Sequence, residues 1–254
     1  MGRTKELLKL STKKLLPPSI FQRIQAVRSR RYQMEFLASN GLLDQVKRYI
    51  EKNGTVVQSG PFAGLIYPID AAVNRWSVPK MMGSYEMELH PFIYTAASRE
   101  YDCVIDIGSA EGYYAAGLAR LLTVPVMAFE PEPKEKAFSF LLAENNGVSH
   151  LVEMADLFTV EKMRQLAGKR ALVICDCEGF EEVLFRPNTL DLTNNWDLII
   201  ELHGTADAVL PALKWPHNVT IVTSEQRSGP MNEYRPAGQR FLLCDSKAAA
   251  VRVA

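Results

Sequence analysis

From Tyr101 onward the chain repeats one unit, a short apolar run followed by a stretch of helical periodicity, and few folds accept that pattern. "CVIDIG" precedes "EGYYAAGLARLL", where Tyr114, Leu118, Leu121 and Leu122 fall at helical spacing. "VPVMAFE" precedes "PEPKEKAFSFLLAENNG", which places Phe138, Leu141 and Leu142 inward and stops at Asn-Gly. "LVEMAD" is followed by "VEKMRQLAG", "ALVICDCEG" by "FEEVLF", and "WDLIIELHG" by "ADAVLPALKW". Runs that are apolar throughout, rather than alternating, belong to strands covered on both faces. The pattern therefore predicts an α/β, Rossmann-like, mostly parallel sheet with helices on both sides. The last two runs, "NVTIVT" and "RFLLC", are joined only by the loop "SEQRSGPMNEYRPAG". They bring the strands to seven and imply an antiparallel edge strand at the end of the chain.

Upstream the character differs. Residues 1–55 read as a basic helical segment: "TKELLKLSTKKLL" stops at Pro17-Pro18, and "FQRIQAVRSRRYQMEFLA" and "NGLLDQVKRYIEKNG" follow, each ended by Asn-Gly. Residues 56–100 read as a lead-in. In it "TVVQSGPFAGLIYP" suits a short hairpin, and Tyr85, Glu86 and Glu88 of "GSYEMELH" suit either a lid or a packing helix. Residues 101–254 form the repeating domain.

Charge divides along the same line. Residues 1–52 hold 12 basic and 4 acidic side chains, leaving 17 and 25 for the rest. An acidic body lacks the clustered Lys and Arg that a phosphate backbone needs, so nucleic acid is not an expected partner. The basic arm has three readings: a solvated cap on the sheet, a homodimer contact, or weak peripheral contact with an anionic membrane surface. No apolar run reaches the roughly 18 residues of a membrane span. Cys103, Cys175, Cys177 and Cys244 lie in apolar runs without a C-x-x-C pair, which fits buried reduced thiols in a cytoplasmic protein.

The chemistry is concentrated at the carboxyl ends of the strands, where open α/β sheets bind ligands. Asp106 ends the first run, Glu130 the second, Asp156 the third, Asp176 and Glu178 the fourth, and Glu201 with His203 the fifth. Any one acid there can be a helix cap, but five strand ends in succession point to a site. The turn Gly108-Ser109-Ala110-Glu111-Gly112 lets backbone come close to a ligand. Its spacing is not G-x-G-x-x-G, and Glu111 at the helix start would repel a phosphate. A ligand with a cationic centre and a ribose suits the acids better. Glu130 can accept from a ribose diol, Asp156 from an adenine amino group, and Asp106 and Asp176 can face an ammonium and a sulfonium.

"VIDIGSAEGYYAAGLA", "AFEPEP", "ALVICDCEGFEEVLF" and "LIIELH" resemble the FkbM-like branch of the class I S-adenosylmethionine-dependent methyltransferases, over roughly residues 60–245. The "DCEGFE" stretch is the most specific part. Ala110 stands where asparagine is frequent in that family, and Ser109 where alanine is. The resemblance implies S-adenosylmethionine bound by Asp106, Gly108, Ser109, Ala110, Gly112, Glu130, Pro131, Asp156 and Asp176. It also implies methyl transfer to a hydroxyl of a sugar, glycan or natural product.

Within that reading His203, Asp176 and Glu178 are the catalytic candidates, with imidazole as the base for a hydroxyl acceptor. Glu178, Glu201, His203, Tyr85 and Glu86 are the acceptor-side candidates. Asp176 and Glu201, with Glu178 and His203, can also hold a divalent cation such as Mg²⁺. The bland alternative makes Glu178 and Glu181 caps of the helix after Gly179. Two other functions compete: an NAD(P)-dependent oxidoreductase, which Glu130 favours and the glycine spacing disfavours, and a non-catalytic binding module on the same fold.

Overall fold

The computed structural model describes residues 31, 34, 35, 37–39, 41–69, 72, 77–203, 209, 211, 217–224 and 240–246. The helix expected at "TKELLKLSTKKLL" lies outside the described residues, as do most of "FQRIQAVRSRRYQMEFLA", "ADAVLPALKW" and the loop before "RFLLC". The cap, dimer and membrane readings of the arm fall largely on the same undescribed part.

In chain order the described elements are α1 (Leu43–Asn53), α2 (Ser77–Met82), a 3-10 turn (Met87–Leu89), α3 (His90–Ala97), β1 (Cys103–Ile107), α4 (Tyr113–Leu122) and β2 (Val126–Phe129). Then come α5 (Pro133–Asn145), β3 (Val152–Ala155), α6 (Val160–Leu166), β4 (Ala171–Cys175), α7 (Glu181–Leu184), a second 3-10 turn (Leu190–Thr193), β5 (Trp196–Leu202), β6 (His217–Thr223) and β7 (Arg240–Ser246). The seven strands form one sheet in the order β3-β2-β1-β4-β5-β7-β6. β1 to β5 pair in parallel, and β7 runs antiparallel to both β5 and β6.

The expected antiparallel last strand is therefore present, but it is not at the edge. β7 is inserted between β5 and β6, and β6 forms the border. The choice follows side-chain character. Phe241, Leu242, Leu243 and Cys244 of β7 are all buried, whereas Asn218, Thr220, Ile221 and Thr223 of β6 are exposed. The more polar strand takes the position where one edge meets water.

Every residue of β1, β4 and β5 is buried, as runs apolar throughout require. Alternate residues feed two cores. Val104, Leu172, Ile174 and Ile199 pack with α4, α5 and the lead-in, while Ile105, Val173, Leu198 and Ile200 pack with α6 and α7. The α4 helix buries Tyr113, Ala115, Ala116, Leu118 and Ala119, leaving Tyr114, Leu121 and Leu122 half-buried. Its small residues permit close approach: a Cβ on Gly117 would stand 2.6 Å from the Phe62 ring. The expected hairpin reduces to a single antiparallel bridge, Val56 to Ile66. It is held by the Asn-Gly stop of α5, where the Asn146 side chain accepts from the Ile66 amide at 2.7 Å and donates to its carbonyl at 2.9 Å.

The amino ends of the strands are tied by one carboxylate. Asp197, 0% exposed at the start of β5, accepts from Arg99 (2.9 Å), the Tyr101 hydroxyl (2.7 Å), the Ser246 amide (2.8 Å) and Arg170. Burial alone raises such a carboxyl, but the Arg170 guanidinium, the Ser246 amide and the Tyr101 hydroxyl outweigh it and hold Asp197 below its ordinary value.

Removing this carboxylate takes the acceptor from the Tyr101 hydroxyl and the Ser246 amide and leaves Arg99 to Asp245 and Arg170 to the Asn195 carbonyl. Asp197→Ala is expected to lower unfolding free energy by about 3–5 kcal/mol in denaturant titration. Arg31→Ala, which among the described residues breaks the exposed i,i+4 pair with Glu35, should cost under about 0.5 kcal/mol. Equal small losses would show that Asp197 is not a keystone.

Candidate active site

The carboxyl ends of β1, β4 and β5 open into a cavity lined by Asp106, Gly108, Ser109, Asp176 and Glu201, with Lys80, Tyr85 and Glu86 of the lead-in opposite. Tyr113, Tyr114 and Phe241 complete an aromatic wall. Parallel pairing brings the acids together. Asp106 stands beside Ile174 in register, and Cys175 beside Ile200, so that Asp176 and Glu201 leave adjacent strands at the same level.

The turn after β1 is shaped by its own chain. Gly108 has φ +80°, and a Cβ there would stand 1.7 Å from the Asp176 carbonyl oxygen. The space that a glycine was expected to give a ligand is taken by the backbone after β4. Gly112, φ +89°, makes the same allowance for Ser139, whose Oγ would lie 2.3 Å from an added Cβ. Ala110 also adopts a positive φ, +45°, and its amide donates to Glu130 Oε2 at 3.0 Å. The amides of Gly108 and Ser109 donate to the Phe129 carbonyl. All three turn amides are thus committed within the protein.

Asp106 is 1% exposed, and its Oδ2 has no hydrogen-bond partner among the described residues. Burial, then the neighbouring Asp176 carboxylate, pushes its carboxyl up to about 8, against a hydrogen bond from the Ala115 amide. Ser109 Oγ, also buried in the cavity wall, lacks a partner among the described residues too.

The remaining strand-end acids separate. Glu130 is buried but does not line the cavity. Its oxygens accept from the Ala110 amide and, at 2.7 Å, from the Glu132 amide, so it holds the turn. Asp156 is exposed and paired with Lys136, and Pro131 is exposed beyond β2. Neither is brought into the cavity.

His203, half-buried after β5, collects carboxylates on both ring nitrogens. Nδ1 lies 3.2 Å from Glu181 Oε1. Nε2 lies 3.5 Å from Asp176 Oδ1 and 3.8 Å from both Glu178 Oε2 and Glu201 Oε1. Glu178 reaches it from a positive φ of +52° with a side chain 89% exposed. Glu181 does not cap α7, whose N-terminus has no side-chain cap; it accepts from the Cys177 and Gly179 amides of the preceding turn at 3.2 and 3.4 Å, and it engages His203 as well. For cation binding, Asp176, Glu178 and His203 have ligand atoms within 4.8 Å of one another, a set that does not include Glu201. Two carboxylates and an imidazole suit a transition ion better than Mg²⁺, whose shell is oxygen.

Sequence reading missed three features. Buried Lys80 pairs with buried Glu111 and lies 4.6 Å from the Tyr85 ring centroid and 5.2 Å from that of Tyr113. The charge expected to repel a phosphate is therefore neutralised by a lysine that belongs to no motif. Glu86, buried with φ +48°, accepts from the Tyr114 hydroxyl, so the segment read as a lid or packing helix is bonded to α4. Glu181 as the partner of His203 is the third.

No family model matches the chain, and no curated protein matches it. Solved structures similar to it include S-adenosylmethionine-dependent methyltransferases. One is the O-methyltransferase TomG from Streptomyces achromogenes, solved with SAM, at 16% identity and TM-score 0.44, covering 59% of this chain and 75% of that one. Another is precorrin-6y C5,15-methyltransferase from Geobacter metallireducens, at 14% identity and TM-score 0.44, covering 60% and 84%. A similar structure described by another activity is precorrin 8w decarboxylase from Methanobacterium thermoautotrophicum, at 17% identity and TM-score 0.45, covering 62% and 88%.

The raised carboxyl of Asp106 makes stability depend on pH with a definite sign. The folded chain keeps a proton that the unfolded chain releases near its ordinary value of 3.8, so this contribution is complete below that value and is lost as pH rises through about 8. The slope from one group is at most about 1.4 kcal/mol per pH unit. Glu135, raised to about 7 by burial and then by Glu111 and Glu130, acts with the same sign. Asp106→Asn should match the parent at about pH 4 and exceed it in denaturation midpoint at about pH 8.5. A difference independent of pH would remove the assignment.

Proposed function

We propose that this chain is an S-adenosylmethionine-dependent methyltransferase acting on a hydroxyl of a sugar, glycan or natural product, as in the FkbM-like enzymes its strand-end motifs resemble. The observation that carries the reading is Asp106: a fully buried carboxyl with an oxygen left over, facing a cavity that also contains Asp176 and Glu201. Such a cavity favours a cation. The competing nicotinamide reading needs a turn whose free amides receive a pyrophosphate, and here those of Gly108, Ser109 and Ala110 are already bonded.

When bound, S-adenosylmethionine supplies a methyl group activated by a sulfonium. In this reading Asp106 and Asp176 face its ammonium and sulfonium, and Glu130 receives the ribose diol while holding the turn. Gly108, Ser109 and Ala110 shape the wall. Asp156 takes the adenine amino group at the expense of Lys136. Glu178, Glu201, Tyr85 and Glu86 face the acceptor, and so many carboxylates disfavour a phosphorylated one.

His203 is the base. A carboxylate at Nδ1 requires that nitrogen to carry the proton, so Glu181 leaves the lone pair on Nε2, directed at Asp176, Glu178 and Glu201. An acceptor hydroxyl placed there loses its proton to Nε2, and the surrounding carboxylates stabilise the imidazolium. A divalent cation on Asp176, Glu178 and His203 is the alternative activator, and activity that survives exhaustive chelation removes it. Four free cysteines support a cytoplasmic setting.

Isothermal titration with S-adenosylmethionine and with NAD tests the cofactor. Binding of the first, weakened at least tenfold by Glu130→Ala, with none of the second, is the expected result (about 1.4 kcal/mol). NAD binding, or none of either, overturns the proposal. Methyl transfer to a panel of hexoses and glycosides should fall roughly 10²–10⁴-fold in His203→Ala with cofactor affinity intact. Full activity would remove His203 as base.

A further inference from the structure

Beside His203 lies a group of donors of which the proposed methyl transfer uses only Glu181, as the partner of the imidazole. Glu181 is 0% exposed, and its Oε2 has no hydrogen-bond partner among the described residues. Its Oε1 lies 3.4 Å from Cys177 Sγ, which lies 3.5 Å from Cys175 Sγ. The two cysteines are two residues apart on extended chain, so their side chains share a face. Among the described residues the ion-pair partner of Glu181 is His203 alone, with no lysine or arginine beside it. A fully buried carboxylate so placed calls for a cation.

We propose that Cys175 Sγ, Cys177 Sγ and Glu181 form a binding site for a thiophilic divalent ion, Zn²⁺ above all. The three donor atoms lie within 4.8 Å of one another. Ligand atoms about 2.0–2.3 Å from a tetrahedral ion stand about 3.3–3.8 Å apart, and the distances of 3.5 and 3.4 Å fall in that range. Two sulfur donors select a soft or borderline ion over Mg²⁺ or Ca²⁺. Charge balances as well: the ion displaces one proton from each thiol, and two thiolates with one carboxylate around M²⁺ carry the same net charge as two thiols with a carboxylate alone. Cys177 is half-buried and supplies the path of entry, whereas Cys175 is buried. Three protein ligands leave one position for water or another donor. This site is distinct from the Asp176, Glu178 and His203 set and does not depend on the methyltransferase reading. It touches that reading only through Glu181, which also orients the imidazole.

Cobalt titration of the reduced full-length protein tests it. Thiolate-to-cobalt charge-transfer absorption saturating at one equivalent and displaced by Zn²⁺ is the expected result. The absorption should disappear in Cys177→Ser, weaken at least about tenfold in affinity in Glu181→Gln, and persist in Cys103→Ser and Cys244→Ser. Circular dichroism melts of each variant keep misfolding apart from lost ligation, and the half-buried Cys177 tolerates serine better than Cys175. Absence of the band, or its persistence in Cys177→Ser, overturns the proposal. So does a native thiol count that falls by two under a disulfide oxidant and is restored by reductant with no ion bound, since the pair would then be a redox couple.

Discussion

The approach of Gly108 to the Asp176 carbonyl is the contact on which the upper half of the molecule depends. With a Cβ at residue 108 standing 1.7 Å from that oxygen, no other residue lets the turn after β1 lie against the turn after β4. Because the two turns touch, Asp106 and Asp176 share one cavity, and Asp106 is driven up to about 8 by burial and by its neighbour. The next strand continues the arrangement, with Glu201 and His203 leaving β5 beside Asp176. A single missing methyl group therefore decides whether the acids meet.

The two ends of the sheet show the same side chain in opposite environments. At the amino ends Asp197 is buried among Arg99, Arg170, Tyr101 and the Ser246 amide, and its charge is held. At the carboxyl ends Asp106 is buried as deeply, without an ion-pair partner among the described residues, and its charge is suppressed. One end fixes the frame and the other keeps an unmet demand for positive charge, the division expected between a structural base and a ligand-binding rim.

Much of this was legible in the sequence, for physical reasons that also mark its limit. Local periodicity reports burial, so the runs from "CVIDIG" to "WDLIIELH" specified strands and the intervening stretches helices. It does not report order among neighbours, so the insertion of β7 inside β6 had to come from the structure. The strand-end acids were legible as a set because the carboxyl ends of parallel strands gather on one side. Which of them face inward was not, because that depends on turns: Glu130 is captured by the amides of Ala110 and Glu132, and Asp156 follows β3, a border strand half open to solvent, within reach of Lys136. The Lys80–Glu111 pair spans 31 residues and leaves no periodic trace.

His203 carries the argument furthest. In the proposed reaction Nδ1 carries the proton toward Glu181, which leaves Nε2 as an acceptor facing three carboxylates. The described side chains at 3.5–3.8 Å from this nitrogen are carboxylates, whose ionised oxygens accept. In that reading a group bearing a hydrogen-bond donor enters between Nε2 and the carboxylates. An acceptor hydroxyl is such a group. In the proposed reaction the arrangement is completed when the hydroxyl to be deprotonated supplies a hydrogen between Nε2 and the carboxylates.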